Sequence, residues 1–276
     1  MINSLLRKIP SFKGKRRLAN LFVRRNFPHH QNIVIKAKFG CSFKLPNIKE
    51  NIGFEIFING VYEKKTIEFI AGKIPANGNM IDIGANIGTI VFPVCKIRKD
   101  ITAIAIEASP RVFDYLQSNK ESNQITNCLL VNKAITDTDE ETVHFYSPVE
   151  QFGKGSMLNV FTDEAEMIRT VRLDSLLEQH NMKHVDFIKI DVEGYEYYAF
   201  KGSEHLLRSA DAPLILFEFA DWTEDLINGI AKGDAQKLLI EYGYQLYTIN
   251  TKGIFTTLEL PLTTGSGLIL ASKQKI

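Results

Sequence analysis

A chain of 276 residues, 45% hydrophobic and 24% charged, is long enough to bury a sizeable core and reads as an ordinary globular protein. Its three cysteines, Cys41, Cys95 and Cys128, are odd in number and form no C-x-x-C, which excludes a disulfide framework and a thiolate zinc site and points to reduced thiols in the cytoplasm. No apolar run of about 18 residues marks a membrane span, and the N-terminus lacks the apolar block of a secretory signal.

The formal net charge of +1 hides an asymmetry. Of 33 Lys and Arg, twelve lie in residues 1–49, which hold no Asp or Glu; the other 21 face 32 acids, a net of −11. Such an arm suits phosphate, nucleic acid or an anionic lipid surface. The favoured reading is instead a helix docked on the acidic body through Leu5, Leu6, Ile9, Leu18, Leu21 and Phe22. A transit peptide is a weaker third reading.

Next in order, residues 33–62, from "IVIKAKFG" to "GFEIFINGVYE", alternate with period two and predict a small β-rich cap. Residues 1–60 are thus expected to form a basic arm and cap, and residues 61–276 the main domain. From Asn79 onward, short apolar runs alternate with amphipathic ones, the pattern of a parallel sheet with helices on both faces. "MIDIGA", "ITAIAIEAS", "CLLVNKAI", "VDFIKIDV" and "LILFEFA" predict successive parallel strands. "GTIVFPVCKIRK", "SPRVFDYLQSNKESN", "EYYAFKGSEHLLRSA" and "DAQKLLIEYG" predict helices, with Ser109 and Pro110 opening the second and Gly243 closing the last. Residues 136–175, with "ETVHFYS", the Gly-rich "FGKGSML" and "RTVRLDSLL", predict a β-hairpin excursion overhanging the ligand end of the sheet. "QLYTIN" and "GSGLILAS", joined through a turn at Lys252-Gly253 and a short extended piece, predict an antiparallel finishing pair.

The first strand ends in "DIGANIG". Ligands of open α/β sheets lie beyond the carboxyl ends of the strands, and Gly84, Asn86 and Gly88 form a turn that lets backbone approach one. Glu107, at the end of the second strand, is placed to accept hydrogen bonds from two ribose hydroxyls, so the site suits a nucleoside-bearing cofactor. The spacing is not the G-x-G-x-x-G of a pyrophosphate site, and Asp82 would repel a pyrophosphate while attracting the sulfonium and ammonium of S-adenosylmethionine. A phosphate-cradling Walker loop is absent.

These residues resemble the FkbM-type S-adenosylmethionine-dependent methyltransferases. The likeness runs from "GVYEKKTIEFI" through "NMIDIGANIGT", "AIEASPRVFDYL" and "VDFIKIDVEGYEYYAFKGSEHLL" to "LILFEF", roughly residues 60 to 220. It implies a class I methyltransferase (Rossmann-like) fold, a seven-stranded sheet whose last strand is antiparallel. It further implies O-methylation of a hydroxyl, often on sugars, glycolipids or polyketide-like products, and a place for Glu63 of "GVYE" at the cofactor or capping the pocket, with a surface acid as its alternative. "EASP" stands where the family commonly has Glu-Pro, and the basic arm lies outside its pattern.

In "FIKIDVEGYE" a buried run breaks into Asp191 and Glu193, where a charge needs a partner or a task. With Glu218 of "LILFEF" they are expected to handle the acceptor, Asp191 also facing the cofactor. Asp191 or Glu193 as general base is preferred; an oxygen-only site for Mg²⁺ formed by Asp191, Glu193 and Glu218 is the other chemistry that fits. The bland reading is an ion pair of Lys189 with Asp191 or Glu193. Ser156 is placed to touch cofactor or acceptor, with a turn serine as its alternative. His205 reads as a packing or surface residue, while Trp222 and Phe219 read as a stacking wall for a sugar or as core. A small hydroxylated acceptor is expected and a nucleic acid is not. A nucleic-acid methyltransferase using the arm and a non-catalytic cofactor-binding scaffold are the alternatives.

Overall fold

A computed structural model describes residues 7, 14–26, 31–160, 162–227, 229–249 and 254–274. The N-terminal region comprises α1 (Lys15–Asn26), a hairpin of β1 (Gln31–Lys36) and β2 (Ser42–Asn47), then α2 (Asn51–Asn59) and α3 (Lys64–Lys73). The hairpin matches the expected cap, but "NIGFEIFIN" is a helix. Its apolar residues bury nearly all around, so a period of two was as good a fit as 3.6. Its ends decide the matter: the Glu50 carboxylate accepts the Ile52 N–H (2.6 Å), and Gly60 (φ 73) closes it in the left-handed conformation.

The central sheet uses β3 (Asn79–Ile83), β4 (Thr102–Ile106), β5 (Cys128–Val131), β9 (Phe187–Ile190) and β10 (Leu214–Ala220) in parallel. Helices α4 (Val91–Ile97) and α5 (Pro110–Ser122) connect the first three of these strands. Ser109 caps α5, its Oγ accepting the Val112 N–H (3.3 Å), with Pro110 in the first turn as expected. All five predicted parallel strands are present. Alternation along them separates two core layers: Met80, Ala103 and Phe187 face one side, while Ile81, Ile104 and Ile188 face the other.

Between β5 and β9 runs the excursion, a three-stranded sheet of β6 (Ala134–Ile135), β7 (Thr142–Tyr146) and β8 (Ala165–Val171). β7 and β8 form the predicted hairpin, but "LDSLLEQ" is the helix α6 (Leu173–Gln179). The single predicted helix after β9 is two, α7 (Glu196–Lys201) and α8 (Glu204–Arg208), separated at Gly202-Ser203.

After β10 come a short α9 (Asp221–Glu224), α10 (Asp234–Glu241), β11 (Gln245–Ile249), β12 (Phe255–Thr257) and β13 (Ser266–Ser272). β13 inserts antiparallel between β10 and β11, as expected of the last strand. The sheet order is β12-β11-β13-β10-β9-β3-β4-β5, eight strands rather than seven, because the short extended piece pairs with β11 as an added edge. The Lys252-Gly253 turn lies outside the described residues.

Helix α1 docks on the body as expected, but not through Leu18 and Leu21. Leu18 and Leu21 are exposed, and the small Ala19 and Val23 are the buried side of α1. Leu5, Leu6 and Ile9, with the Phe22 side chain, lie outside the described residues. Among the described residues no helix is long and apolar enough to cross a membrane.

Candidate functional site

Strand order builds the site, because β3 lies between β4 and β9 and all three end at one level. The N–H groups of Gly84 and Ala85 both donate to the Ile106 carbonyl (2.9 Å each), and the Asp191 N–H donates to the Ile83 carbonyl (3.0 Å). Gly84 has φ 77, and a Cβ there would stand 1.9 Å from the Asp191 carbonyl oxygen. Only glycine lets the end of β9 come so close. Asn86 is left-handed too (φ 51); its side-chain amide donates to the Phe152 carbonyl (2.8 Å), which ties the first loop to the Gly-rich excursion.

Between these segments opens a cavity of about 260 Å³. Gly84, Asn86 and Glu107 line its floor, with Ala108, Ala134 and Phe145 on the β4 side and Asp191, Glu193 and Glu218 on the β9 side. Phe152 to Gly155 of the excursion and Glu50 to Ile52 ahead of α2 complete the wall. The overhang expected of the excursion is therefore present.

Glu107 is buried and fixed at both oxygens. Oε1 accepts the Ser109 N–H (3.0 Å) and Oε2 the Asn86 N–H (2.9 Å). Burial pushes its carboxyl up to about 7 in spite of those two donors. Each oxygen retains a lone pair beyond the one already bonded, the acceptor geometry that two vicinal hydroxyls require.

The acids on the other side meet a buried cation. Lys189 Nζ lies 3.4 Å from Asp82 Oδ1, 3.4 Å from Asp191 Oδ2 and 3.3 Å from the Gly84 carbonyl. Burial alone favours the neutral amine, but Asp82, Asp191 and Glu63 outweigh it and hold the ammonium above its usual range. The bland ion pair is thus real for Asp191, and its second partner is Asp82 rather than Glu193. The sequence held a signal: Asp82 and Lys189 each stand two residues before the loop that follows their strand, and they pair in register.

The strand ends at Ile190, so Glu193 does not share a strand face with Asp191. It sits in a left-handed turn (φ 50), its carbonyl accepting the Ser156 hydroxyl (3.1 Å). Burial pushes the Glu193 carboxyl up to about 8, with Asp191 and Glu218 adding to the shift. Glu218, on β10, is pushed up to about 7 by its surroundings and by Asp191 and Glu63. Beneath this loop, the buried Glu196 accepts the Val192 N–H (3.2 Å), a contact sequence reasoning missed; burial pushes it up to about 8.

A second cavity, about 180 Å³, shares Asp191, Glu193 and Glu218 with the first and is bounded beyond them by Trp222, Thr223 and Ser266. Phe219 is core, so of the two aromatics only Trp222 is available as a wall. His205 is exposed, as expected.

Of the sequence-expected residues, Gly84, Asn86, Glu107, Asp191, Glu193 and Glu218 line the first cavity, whereas Glu63, Asp82, Gly88 and Ser156 do not. Asp82 is fully buried against Lys189, Gly88 packs on the Phe92 ring, Ser156 holds the Glu193 turn, and Glu63 is an exposed residue at the start of α3. Among the described residues no three His, Cys, Asp or Glu side chains gather as a metal site. S-adenosylmethionine fits the residues present: fixed acceptors at Glu107 for a ribose, an apolar side for a base, and acids for a cationic group.

The chain matches the Methyltransferase FkbM domain over residues 82–246. It is 24% identical over 179 residues to the hexuronic acid methyltransferase AglP of Haloferax volcanii, covering 65% of this chain and 68% of that protein. It is 29% identical over 96 residues to the tRNA(Phe) (4-demethylwyosine(37)-C(7)) aminocarboxypropyltransferase of Methanocaldococcus jannaschii, 34% of this chain and 35% of that one. Among solved structures, the precorrin-6y C5,15-methyltransferase of Geobacter metallireducens superposes with a TM-score of 0.44 at 12% identity, over 78% of this chain and 93% of that one.

Proposed function

The chain belongs to the FkbM methyltransferase domain family and is an S-adenosylmethionine-dependent methyltransferase, and we propose that its acceptor is the hydroxyl of a saccharide, a glycolipid or a glycosylated product. The observation that carries the proposal is the pair of cavities meeting at Asp191, Glu193 and Glu218. One suits the cofactor; the other suits a hydroxylated acceptor, with three carboxylates as hydrogen-bond acceptors and the Trp222 ring as an apolar wall. The relative named a hexuronic acid methyltransferase supports a sugar.

In this reading residues 61–276 are the methyltransferase domain, and residues 1–60 form an appendage whose Glu50 to Ile52 wall the cavity. When bound, S-adenosylmethionine supplies an electrophilic methyl group. Glu107 holds the ribose hydroxyls, and Gly84 and Asn86 present a wall without bulk. Gly88 keeps the turn, while Asp82 acts through Lys189, holding it against Asp191. Asp191 and Glu63 add negative charge beside the cationic end of the cofactor, and Ser156 positions the Glu193 turn.

Glu193 is assigned as general base. An alcohol gives up its proton only as its oxygen becomes bonded, and a carboxylate with a pKa raised to about 8 is a stronger base than an ordinary one. The proton passes to Glu193, while Asp191 and Glu218 orient the hydroxyl, a matter of alignment worth about 7–11 kcal/mol in well-positioned reactions. Mg²⁺ is not required in this scheme. The buried free cysteines suit a cytoplasmic setting.

The test is transfer of labelled methyl to a panel of monosaccharides, uronic acids and glycosides, with magnesium or with EDTA. Labelled sugar that is independent of metal and falls about 10²–10⁴-fold in Glu193→Gln supports the assignment. Label entering RNA and no sugar contradicts it.

A further inference from the structure

Helix α1 is docked by its smaller side chains. Lys15 Nζ donates to Asn59 Oδ1 (3.2 Å), Arg16 donates to Asn51 and pairs with Glu55 (3.7 Å), and Ala19 and Val23 are buried. At about 100° per residue, Arg17, Leu18, Leu21 and Arg25 fall within an arc of about 100° on the other side. All four are exposed, Leu18 by 62% and Leu21 by 68%. The helix thus leaves its two large aliphatic residues outside, interleaved with arginines, in a tract of 49 residues that has twelve basic residues and no acid.

From this stripe we propose that α1 lies on an anionic lipid bilayer, Leu18 and Leu21 entering the boundary between headgroups and acyl chains while Arg17 and Arg25 meet lipid phosphates. Charge selects an anionic partner, and the leucines select among anionic partners. A nucleic-acid backbone would use the arginines but offer nothing to two exposed aliphatic side chains. A second copy joined stripe to stripe would bring like charge against like charge. Asn51, bonded to Arg16, lines the first cavity, so a seated helix holds the rim of that cavity beside the bilayer. If the methyl-transfer reading above holds, that placement favours an acceptor carried on a lipid; the seating itself does not depend on it.

The test is co-sedimentation of the full chain with vesicles of phosphatidylcholine alone or mixed with phosphatidylglycerol, alongside calorimetric titration with S-adenosylmethionine. Partitioning should be at least about tenfold higher on the anionic vesicles and fall with added salt. It should drop roughly tenfold in Leu18→Ser/Leu21→Ser and again in Arg17→Gln/Arg25→Gln, with cofactor binding unchanged in both because neither pair lines the cavity. Equal or absent binding to the two vesicle types overturns the proposal. So does anionic binding indifferent to the leucines, RNA binding of that character, or a dimer in light scattering that the leucine variant abolishes. Vesicle binding without cofactor binding would instead count against the methyltransferase reading alone.

Discussion

Lys189 and Asp82 face one another on neighbouring parallel strands, Nζ 3.4 Å from Oδ1, where Asp82 has no exposure and neither of its oxygens receives a hydrogen bond. Burial drives the Asp82 carboxyl upward and Lys189 opposes it. Removing one member of such a pair strands the other, at a cost of about 3–5 kcal/mol. Lys189→Met should lose stability of that order in urea denaturation, and Asp82→Asn added to it should recover most of the loss. A single variant within about 1 kcal/mol of wild type would mean that the two charges do not depend on each other.

The proton acceptor of the proposed reaction sets a pH profile. With Glu193 pushed up to about 8 and Glu218 to about 7, the basic forms accumulate only as pH rises through that window. The rate should therefore climb from about pH 6 through pH 8 and level only about one pH unit higher. Glu193→Gln should lose that rise together with most of kcat, and a flat wild-type profile would remove Glu193 from the role.

Stability should run the opposite way. Glu196 is raised in the folded state to about 8 from an ordinary 4.5, so the stability gained from its neutral form is complete below about 4.5 and is lost as pH rises through about 8. Glu196→Gln keeps an acceptor for the Val192 N–H and removes the charge. Its thermal midpoint should exceed that of wild type above pH 8 and converge with it below pH 5. Parallel curves at all pH values would show that Glu196 does not titrate in this range.

Gly84→Ala tests the contact between the first loop and the end of β9. A Cβ 1.9 Å from the Asp191 carbonyl oxygen, at φ 77, cannot be housed without moving one of the two strands. The variant should unfold at markedly lower denaturant and bind S-adenosylmethionine weakly, whereas Gly72→Ala, inside α3 with open space around the added carbon, should be at least as stable as wild type and bind equally well.

Much of the parallel sheet could be read from the chain, because near-continuous Ile, Val, Leu and Phe runs ending in Gly84, Glu107 and Asp191 leave few alternatives to buried strands with a site at their ends. α2 could not, since a helix buried on nearly every side has no polar face to reveal its period. The orientation of α1 escapes the sequence for a related reason: size alone puts the larger leucines inside, yet Ala19 and Val23 let the helix approach the body more closely. Ser156 and Asp82 sat on chemically suggestive positions but turned inward, a choice made by side-chain partners distant in sequence, Glu193 and Lys189.

The most direct measurement is calorimetric titration of the purified protein with S-adenosylmethionine and with its demethylated product, using NAD as control, for wild type and Glu107→Ala. Binding of both S-adenosyl ligands and not NAD, weakened roughly 10-fold or more in the variant by loss of hydrogen bonds to a charged acceptor, is the predicted result. A folded protein that binds neither ligand, or binds both equally well without Glu107, would contradict the account of the cavity.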